Sequence, residues 1–151
     1  YCCTRVSKGQ RLELKLARAR HFTELYRLSA EMMMEDLKYD PREDSSHHER
    51  TINTRIQLQR SWINEVDHRI QFLIDIGTET PLGAQVGGTY VPPEFRGRGT
   101  ATSGMRAICT QLLQSSERVS LHVNEANTPA IRCYESAGFE RRTPYRLIAF
   151  K

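Results

Sequence analysis

The apolar residues of this chain recur at two different periods, which predicts a mixture of strands and helices. In residues 11–19, leucine occupies every second position from 12 to 16, with charged residues between. Strict alternation places one side of an extended chain inward and the other in water, so we expect a half-buried strand there. From residue 22 the apolar spacing changes to three and four residues, which predicts a helix that ends at Tyr39-Asp40-Pro41.

A second helix is predicted from residue 46 onward. Ser46 and Glu49 have the spacing of a capping box, in which the two side chains satisfy amides at a helix start. The apolar residues that follow with helical spacing are Ile52, Ile56, Leu58, Trp62, Ile63 and Val66. His47 and His48 diverge as neighbours in a first helical turn, and neither has a second ligand four residues later. We therefore expect two solvated histidines rather than a metal site.

The remainder of the chain alternates between predicted strands and helices. Strands are predicted at 69–77, 82–91, 118–124 and 145–151, with a turn at 78–81, and helices at 100–115 and 127–138. Asn127 is a favoured cap residue, and Gly138 suits the position just past a helix end. Gly87-Gly88 inside a strand predicts a bulge or a close backbone approach.

The composition is that of one ordinary domain. The chain has 151 residues, 38% of them hydrophobic, which is enough for one core. No apolar run approaches the ~20 residues needed to cross a bilayer, and the first residues do not resemble a signal peptide. We expect a cytoplasmic protein without a membrane partner. Because the chain begins at Tyr1 rather than Met, we expect residues 1–9 to be a segment that continues upstream, and 10–151 to be the domain.

Charge and cysteine content narrow the partners only slightly. The net charge of +4 suits an anionic partner. The 22 basic residues form no run and no row interleaved with aromatics, so we do not expect nucleic acid to bind. The four cysteines lack C-x-x-C spacing, and reduced structural thiols are the favoured interpretation.

A glycine-rich stretch before the predicted helix at 100–115 carries the strongest chemical signal. Gly97 and Gly99 lie between a strand and a helix, where first-turn amides and the helix dipole favour a phosphate. Thr102 stands where a dinucleotide fingerprint needs its third glycine, and the lysine of a P-loop is missing. Two interpretations stay open from spacing alone: a pyrophosphate cradle, or a simple turn with an arginine-rich surface.

Two motifs together resemble the signatures of the GCN5-related N-acetyltransferase (GNAT) superfamily. The sequence from Arg96 to Ala101, RGRGTA, resembles the R/Q-x-x-G-x-G/A signature. The second signature is matched by Asn127, Ala130, Tyr134, Gly138 and Phe139. The resemblance covers residues 10–151 and is strongest over 82–139. It implies an α/β fold with a mixed, strongly twisted sheet flanked by helices and splayed between its fourth and fifth strands.

The resemblance implies acetyl-CoA, or another acyl-CoA, as co-substrate and no metal. Backbone amides of residues 98–102 would bind the pyrophosphate, and the gap between the splayed strands would hold pantetheine. Arg96 and Arg98 would add charged contacts to the pyrophosphate or steer the polyanion in, although for Arg98 a solvated side chain is an equal alternative. The implied acyl-CoA-binding residues are Tyr90, Val91, Arg96, Gly97, Arg98, Gly99, Thr100, Ala101, Thr102 and Asn127.

The resemblance also implies catalytic roles for two residues. Tyr134 matches the position that protonates the departing thiolate, although a buried core tyrosine is the alternative. His122 stands where some relatives carry a glutamate base, five residues before the signature asparagine. Imidazole titrates near pH 6.5, so a histidine there can accept a proton, or it can simply contact substrate. Glu125, Glu94 and an ordered water are the other candidates for the base.

The implied function is transfer of acetyl directly to a primary amine of a small molecule or peptide. The alternative from another class is a non-catalytic acyl-CoA sensor with the same fold. The connection between the first two helices is acidic, which suits a cationic amine or a solvated loop. Its carboxylates are Glu35, Asp36, Asp40, Glu43 and Asp44. The acceptor itself and a homodimeric assembly stay open.

Overall fold

The structure is a computed structural model that describes residues 1–146. Its strands are β1 (Cys2–Cys3), β2 (Lys15–Leu16), β3 (Ser61–Val66), β4 (Arg69–Thr80), β5 (Gly83–Tyr90) and β6 (Val119–Ser120). Its α-helices are α1 (Phe22–Leu37), α2 (Ser45–Gln57), α3 (Thr100–Leu112) and α4 (Thr128–Ala137). Most of the strand predicted at 145–151 lies outside the described residues.

The described strands form one mixed sheet with the order β1-β6-β5-β4-β3-β2. All neighbouring strands are antiparallel except β5 and β6, which are parallel. A parallel pair needs a long crossover, and α3 supplies it between the end of β5 and the start of β6. This arrangement confirms the predicted fold class.

The two faces of the sheet are covered by different helices, and β4 contributes side chains to both. A bulge at Gln71, opposite Asn64 and Glu65, places Ile70 and Phe72 on opposite faces. Phe72 and Ile74 belong to a buried cluster with Met105 of α3. Ile70 and Leu73 belong to the cluster on the other face, which includes Leu25 and Leu28 of α1 and Ile52 of α2. The sheet therefore separates an α3 face from an α1/α2 face.

Strand β5 contains a bulge at the glycine pair. Leu73 pairs with Tyr90 and Asp75 with Gly87, so β4 advances two residues where β5 advances three. Gly88 has a φ of +59°. An added Cβ there would lie 2.6 Å from Oδ2 of Asp75. The bulge predicted from Gly87-Gly88 is confirmed, and the close approach is between backbone and carboxylate.

The sheet opens between β5 and β6. These strands pair only at Ala84 with Val119 and at Gln85 with Ser120. Beyond Gln85, β5 continues to Tyr90 with no partner in β6. Because β1 precedes the first strand of the predicted fold, β5 and β6 are its fourth and fifth strands. The predicted splay is therefore confirmed.

The predicted second helix is correct at its centre and wrong at both ends. Asp44, rather than Ser46, caps α2, and its Oδ1 accepts from the His47 amide at 3.0 Å. The helix ends at Gln57, and Gln59 takes a left-handed conformation with φ +54°. The apolar residues beyond that turn form β3 instead of continuing the helix. Their spacing continues the helical stripe of α2. The turn between them contains neither glycine nor proline, so no residue type marks the end of the helix.

Several other boundaries differ from the prediction. The strand expected at 11–19 is reduced to β2, the strand at 118–124 to β6, and the helix at 100–115 ends at Leu112. Strand β4 runs through the expected turn as far as Thr80. Residues 1–9 supply β1, which pairs with β6. The backbone of Cys2 also forms an isolated antiparallel β-bridge with Glu140.

The prediction of a solvated His48 is wrong. Its side chain is buried, and Nε2 lies 3.0 Å from the Tyr26 carbonyl oxygen. The rings of His48 and Tyr26 have centroids 4.6 Å apart. His48 faces α1 because it lies on the same side of α2 as Ile52, so it ties the two helices together.

We expect Gly88→Ala to lower the free energy of unfolding by roughly 2–4 kcal/mol, from left-handed strain and overlap with Asp75. Gly87→Ala is the matched control, because nothing lies within 4 Å of the added Cβ and its φ is not in the left-handed region. Denaturant unfolding of both variants makes the comparison. Equal stability of the two variants would contradict the assignment of the bulge to Gly88.

Candidate functional site

The connection from β5 to α3 forms an open loop shaped by two glycines. Gly97 and Gly99 both have φ of +75°, a conformation that glycine adopts without the strain of a Cβ. An added Cβ at either position would meet nothing within 4 Å. The glycines are therefore needed for the left-handed backbone conformation, and the space next to them is open. The Thr100 hydroxyl donates to the Phe95 carbonyl at 3.2 Å and closes the loop at its base.

The amides of residues 98–102 have no acceptor in the described part of the chain. Gly99 is the cap residue of α3, and the Ser103 amide makes the first helical bond, to the Gly99 carbonyl at 2.9 Å. Unpaired first-turn amides, together with the positive end of the helix dipole, make this loop suitable for an anion. The backbone thus has the form that the pyrophosphate prediction requires.

The two arginines of the loop have different surroundings. Arg98 is exposed, and no carboxylate among residues 1–146 pairs with it. Arg96 donates from Nε to the Val91 carbonyl at 2.8 Å. Its Nη2 donates to both carboxylate oxygens of Glu35, at 3.1 and 2.9 Å. Its guanidinium lies 5.4 Å from the ring centre of Tyr90, so these contacts direct Arg96 toward α1.

The side chain of Tyr134 reaches the bulge in β5 from α4. It is half-buried, and its hydroxyl neighbours that of Thr89. Burial raises the pKa of Tyr134 to about 12, and the Thr89 hydroxyl opposes part of that rise. Tyr134 therefore stays protonated at neutral pH and is a hydrogen-bond donor at the place where the sheet opens.

Asn127 caps α4 as the sequence predicts. Its Oδ1 accepts from the Ala130 amide at 3.2 Å. The side-chain nitrogen of Asn127 has no acceptor within residues 1–146, so the residue can cap the helix and still donate to another group.

His122 lies just past the last paired residue of β6 and is exposed. Its Nδ1 lies 3.1 Å from the side-chain nitrogen of Gln85, and its ring stacks on Tyr145 with centroids 4.0 Å apart. An amide nitrogen that donates to Nδ1 leaves the imidazole proton on Nε2. The reversed amide accepts from Nδ1 instead and leaves Nε2 free to take a proton. A role as a base at Nε2 requires the second arrangement.

The structure brings Tyr134 and His122 to the same opening but not into contact with the same residue of β5. Their neighbours on that strand, Thr89 and Gln85, are four residues apart, with the bulge at Gly88 between them. The two side chains therefore have different partners on β5, and no hydrogen bond joins them in the described part of the chain.

Asp75 is a functional candidate that the sequence reasoning missed. This buried carboxylate accepts from Arg55 of α2 at 2.8 Å and from the Ser61 hydroxyl at 2.5 Å. Burial raises the pKa of Asp75, and Arg55 opposes that rise. The available signal was a single acidic residue inside the apolar run of β4. Its carboxylate lies against Gly88 on the α1/α2 face and links α2 to the bulge.

Among residues 1–146 no group of histidine, cysteine and acidic side chains is arranged to hold a metal ion. In the same range, the helices are too short or too polar to span a membrane.

Comparison with known proteins was made by family, by sequence and by structure. A family model described as FR47-like protein matches residues 69–148, which include the glycine loop, the opening of the sheet and α4. No curated protein sequence matches the chain. An acetyltransferase of the GNAT family from Colwellia psychrerythraea has a similar structure, with a TM-score of 0.72 and 11% identity. The match covers 91% of this chain and 51% of that protein, so the chain spans about half its length.

Two further structures of similar fold contain CoA or a CoA analogue. AAC(6')-Iy in complex with the bisubstrate analogue CoA-S-monomethyl-acetylneamine has a TM-score of 0.72 and 16% identity, covering 92% of this chain and 97% of that one. Spermidine N-acetyltransferase from Vibrio cholerae, in complex with CoA and spermine, has a TM-score of 0.70 and 18% identity, covering 88% and 83%. At these identities the likeness shows the fold. With the family match over more than half of its length, this chain belongs to the FR47-like family and has the fold of the GNAT superfamily.

Proposed function

We propose that this chain is an acyl-CoA-dependent N-acyltransferase that transfers acetyl from acetyl-CoA directly to a primary amine of a small molecule or peptide. The observation that carries the proposal is the row of unpaired amides at 98–102 beside the opening between β5 and β6. The CoA-containing structures of similar fold support acyl-CoA as the anion that such a loop holds.

Acyl-CoA binding is assigned mainly to backbone groups. The amides of residues 98–102 hold the pyrophosphate, and Arg98 adds an exposed positive charge. The unpaired edge of β5 up to Tyr90 and Val91 receives the pantetheine as a strand-like partner. The Val91 carbonyl already accepts one bond from Arg96 and has a second lone pair for another. Asn127 donates from its free side-chain nitrogen to a pantetheine carbonyl.

Tyr134 is assigned to the departing thiolate. The acceptor nitrogen forms its bond to the acyl carbon as the carbon–sulfur bond breaks, and the electron pair of that bond goes to sulfur. With a pKa of about 12, the Tyr134 hydroxyl is a weaker acid than a thiol with a pKa near 8.5. Tyr134 therefore stabilises the thiolate chiefly through a hydrogen bond, which becomes stronger as negative charge develops on sulfur.

His122 is assigned to the proton that the attacking amine loses. Nε2 takes this proton through a water molecule, since the imidazole lies beside Gln85 rather than beside the bulge. The Tyr145 ring covers one face of the imidazole and limits its rotation.

The acceptor approaches from the α1/α2 face, beside the acidic connection. Several of these carboxylates already have partners: Asp40 binds Arg42, Asp44 caps α2, and Glu35 binds Arg96. Partial desolvation and the neighbouring Glu35 carboxylate raise the pKa of Asp36, which weakens it as an anchor for a cation. The carboxylates therefore favour no single amine class, and a panel of amino acids, polyamines, drugs and peptides is the appropriate screen.

The amide cradle is tested by Gly99→Asp and Gly99→Asn. Both residues tolerate the left-handed conformation, but only aspartate adds a negative charge at the phosphate position. We expect Asn to retain most of the acetyl-CoA affinity and Asp to lose tenfold or more, as measured by calorimetry. At a hundredfold excess over its dissociation constant, acetyl-CoA stabilises the parent by about 2.7 kcal/mol. Equal affinities of the Asp and Asn variants would contradict the cradle.

Tyr134→Phe separates catalysis from packing. The variant keeps the ring and loses the hydroxyl, so we expect kcat for thiol release to fall about 10²-fold or more. The melting temperature and acetyl-CoA affinity should stay near those of the parent. A core tyrosine would instead lose about 1 kcal/mol of stability and keep its kcat. Failure of every amine in the panel to release thiol from the parent would favour the sensor alternative.

His122→Ala tests the base. A base must be neutral to act, so the rate of the parent should fall as the pH is lowered, and the variant should lack that acid limb. We also expect kcat to fall about 10²-fold or more. Gln85→Ala is the matched control, because it removes the partner of Nδ1 and keeps the imidazole, so the limb should persist. An unchanged pH profile in His122→Ala would assign the proton to water or to another carboxylate.

A further inference from the structure

Arg96 is bound on several sides by groups outside the loop. Its Nε bond to the Val91 carbonyl spans the turn from the end of β5 to the first glycine. Its Nη2 reaches Glu35, in the last turn of α1. The Tyr90 hydroxyl donates to the same Glu35 carboxylate at 3.0 Å. One carboxylate of α1 thus receives donors from the end of β5 and from the start of the glycine loop.

This arrangement differs from an ordinary surface ion pair. Exposed pairs are usually weak because both side chains remain free to move in water. Here the guanidinium is stacked over Tyr90, and the bond to a backbone carbonyl fixes its direction. A planar guanidinium can make all of these contacts at once, whereas a lysine ammonium cannot.

We propose that Arg96 and Glu35 form a brace that holds the glycine loop against α1, and that acyl-CoA affinity depends on this brace. The inference rests on the proposed function. It makes Arg96 a positioning residue that acts through the backbone of residues 91–97, in place of the direct pyrophosphate contact that the signature implies. It also links the acyl-CoA loop to the helix that leads into the acidic connection.

The two roles of Arg96 predict opposite effects of removing Glu35. If the guanidinium binds phosphate, Glu35 competes for it, and the loss of Glu35 strengthens acetyl-CoA binding. If the guanidinium braces the loop, the loss of Glu35 frees the loop and weakens binding, although a negative charge has been removed. Glu35→Ala suits this comparison because the side chain is 45% exposed and alanine is a strong helix former.

Glu94→Ala is the matched control. Glu94 is 46% exposed, belongs to the same connection and pairs with an arginine, Arg69, that does not reach α1. The acetyl-CoA affinity of Glu94→Ala gives the effect of deleting one carboxylate near the loop. The difference in affinity between Glu35→Ala and Glu94→Ala then gives the effect of the brace. Measurement at about 0.3 M salt, where the screening length is well below 10 Å, reduces long-range charge effects.

The experiment measures acetyl-CoA affinity by calorimetry for the parent, Glu35→Ala, Arg96→Met, the double variant and Arg96→Lys. Relative to Glu94→Ala, we expect Glu35→Ala to bind about threefold to tenfold more weakly. Arg96→Met should lose a similar factor, and the double variant no more than the larger single loss, because both changes remove one brace. Arg96→Lys should behave like Arg96→Met, since charge alone does not restore the contacts.

If the parent binds acetyl-CoA, any of three results overturns the brace. In the first, Glu35→Ala binds acetyl-CoA as tightly as Glu94→Ala or more tightly. In the others, the affinity losses of the two single variants multiply in the double variant, or Arg96→Lys retains the affinity of the parent. A parent that does not bind acetyl-CoA overturns the proposed function and the brace together. Melting temperatures within a few degrees of the parent exclude misfolding as the cause of weaker binding.

Discussion

The contact between the Gly88 backbone and the Asp75 carboxylate is the constraint on which the rest of the site depends. The extra residue of β5 at this point turns the strand away from its regular register with β4. Beyond Gln85 that strand has no partner in β6, and a gap opens in the middle of the sheet. Any side chain larger than hydrogen at Gly88 would meet the carboxylate at 2.6 Å.

The contact with Gly88 places the Asp75 carboxylate in the interior, where its charge must be stabilised. A carboxylate in this position is costly without partners, and Arg55 and Ser61 provide them from α2 and β3. The bulge is thereby connected to the helix that lines the α1/α2 face. After the end of the same strand, the glycine loop keeps its amides unpaired. A buried carboxylate with partners and a row of amides without acceptors therefore lie in one short stretch of chain.

Local signals in the sequence predicted those features that depend on local chemistry. The apolar stripe from residue 22 gave α1, the glycine pair gave the bulge, and Asn127 gave the cap of α4. Strand β3 was missed because its apolar spacing continues that of α2 across a turn without glycine or proline. Strand β1 has two residues, and its pairing with β6 is decided by tertiary contacts that leave no periodic pattern.

In the candidate site too, the sequence predicted the features that depend on local chemistry and missed those that depend on distant partners. The spacing of Gly97 and Gly99 indicated an open loop before a helix, and the structure gives both residues the left-handed backbone such a loop needs. The partner of Arg96 could not be found in this way, because Glu35 lies 61 residues earlier in the chain. Asp75 could have been noticed as an acid within an apolar strand, but its partner Arg55 required the fold.

The central claim is that backbone amides 98–102 hold the pyrophosphate of acyl-CoA. Hydrogen exchange of individual amides, followed by NMR with and without acetyl-CoA, tests it most directly. In the free protein these amides lack acceptors and should exchange rapidly. Saturating acetyl-CoA should slow their exchange at least tenfold and leave the first-turn amides of α2 unchanged. Rapid exchange of residues 98–102 in a protein that has acetyl-CoA bound would contradict the account.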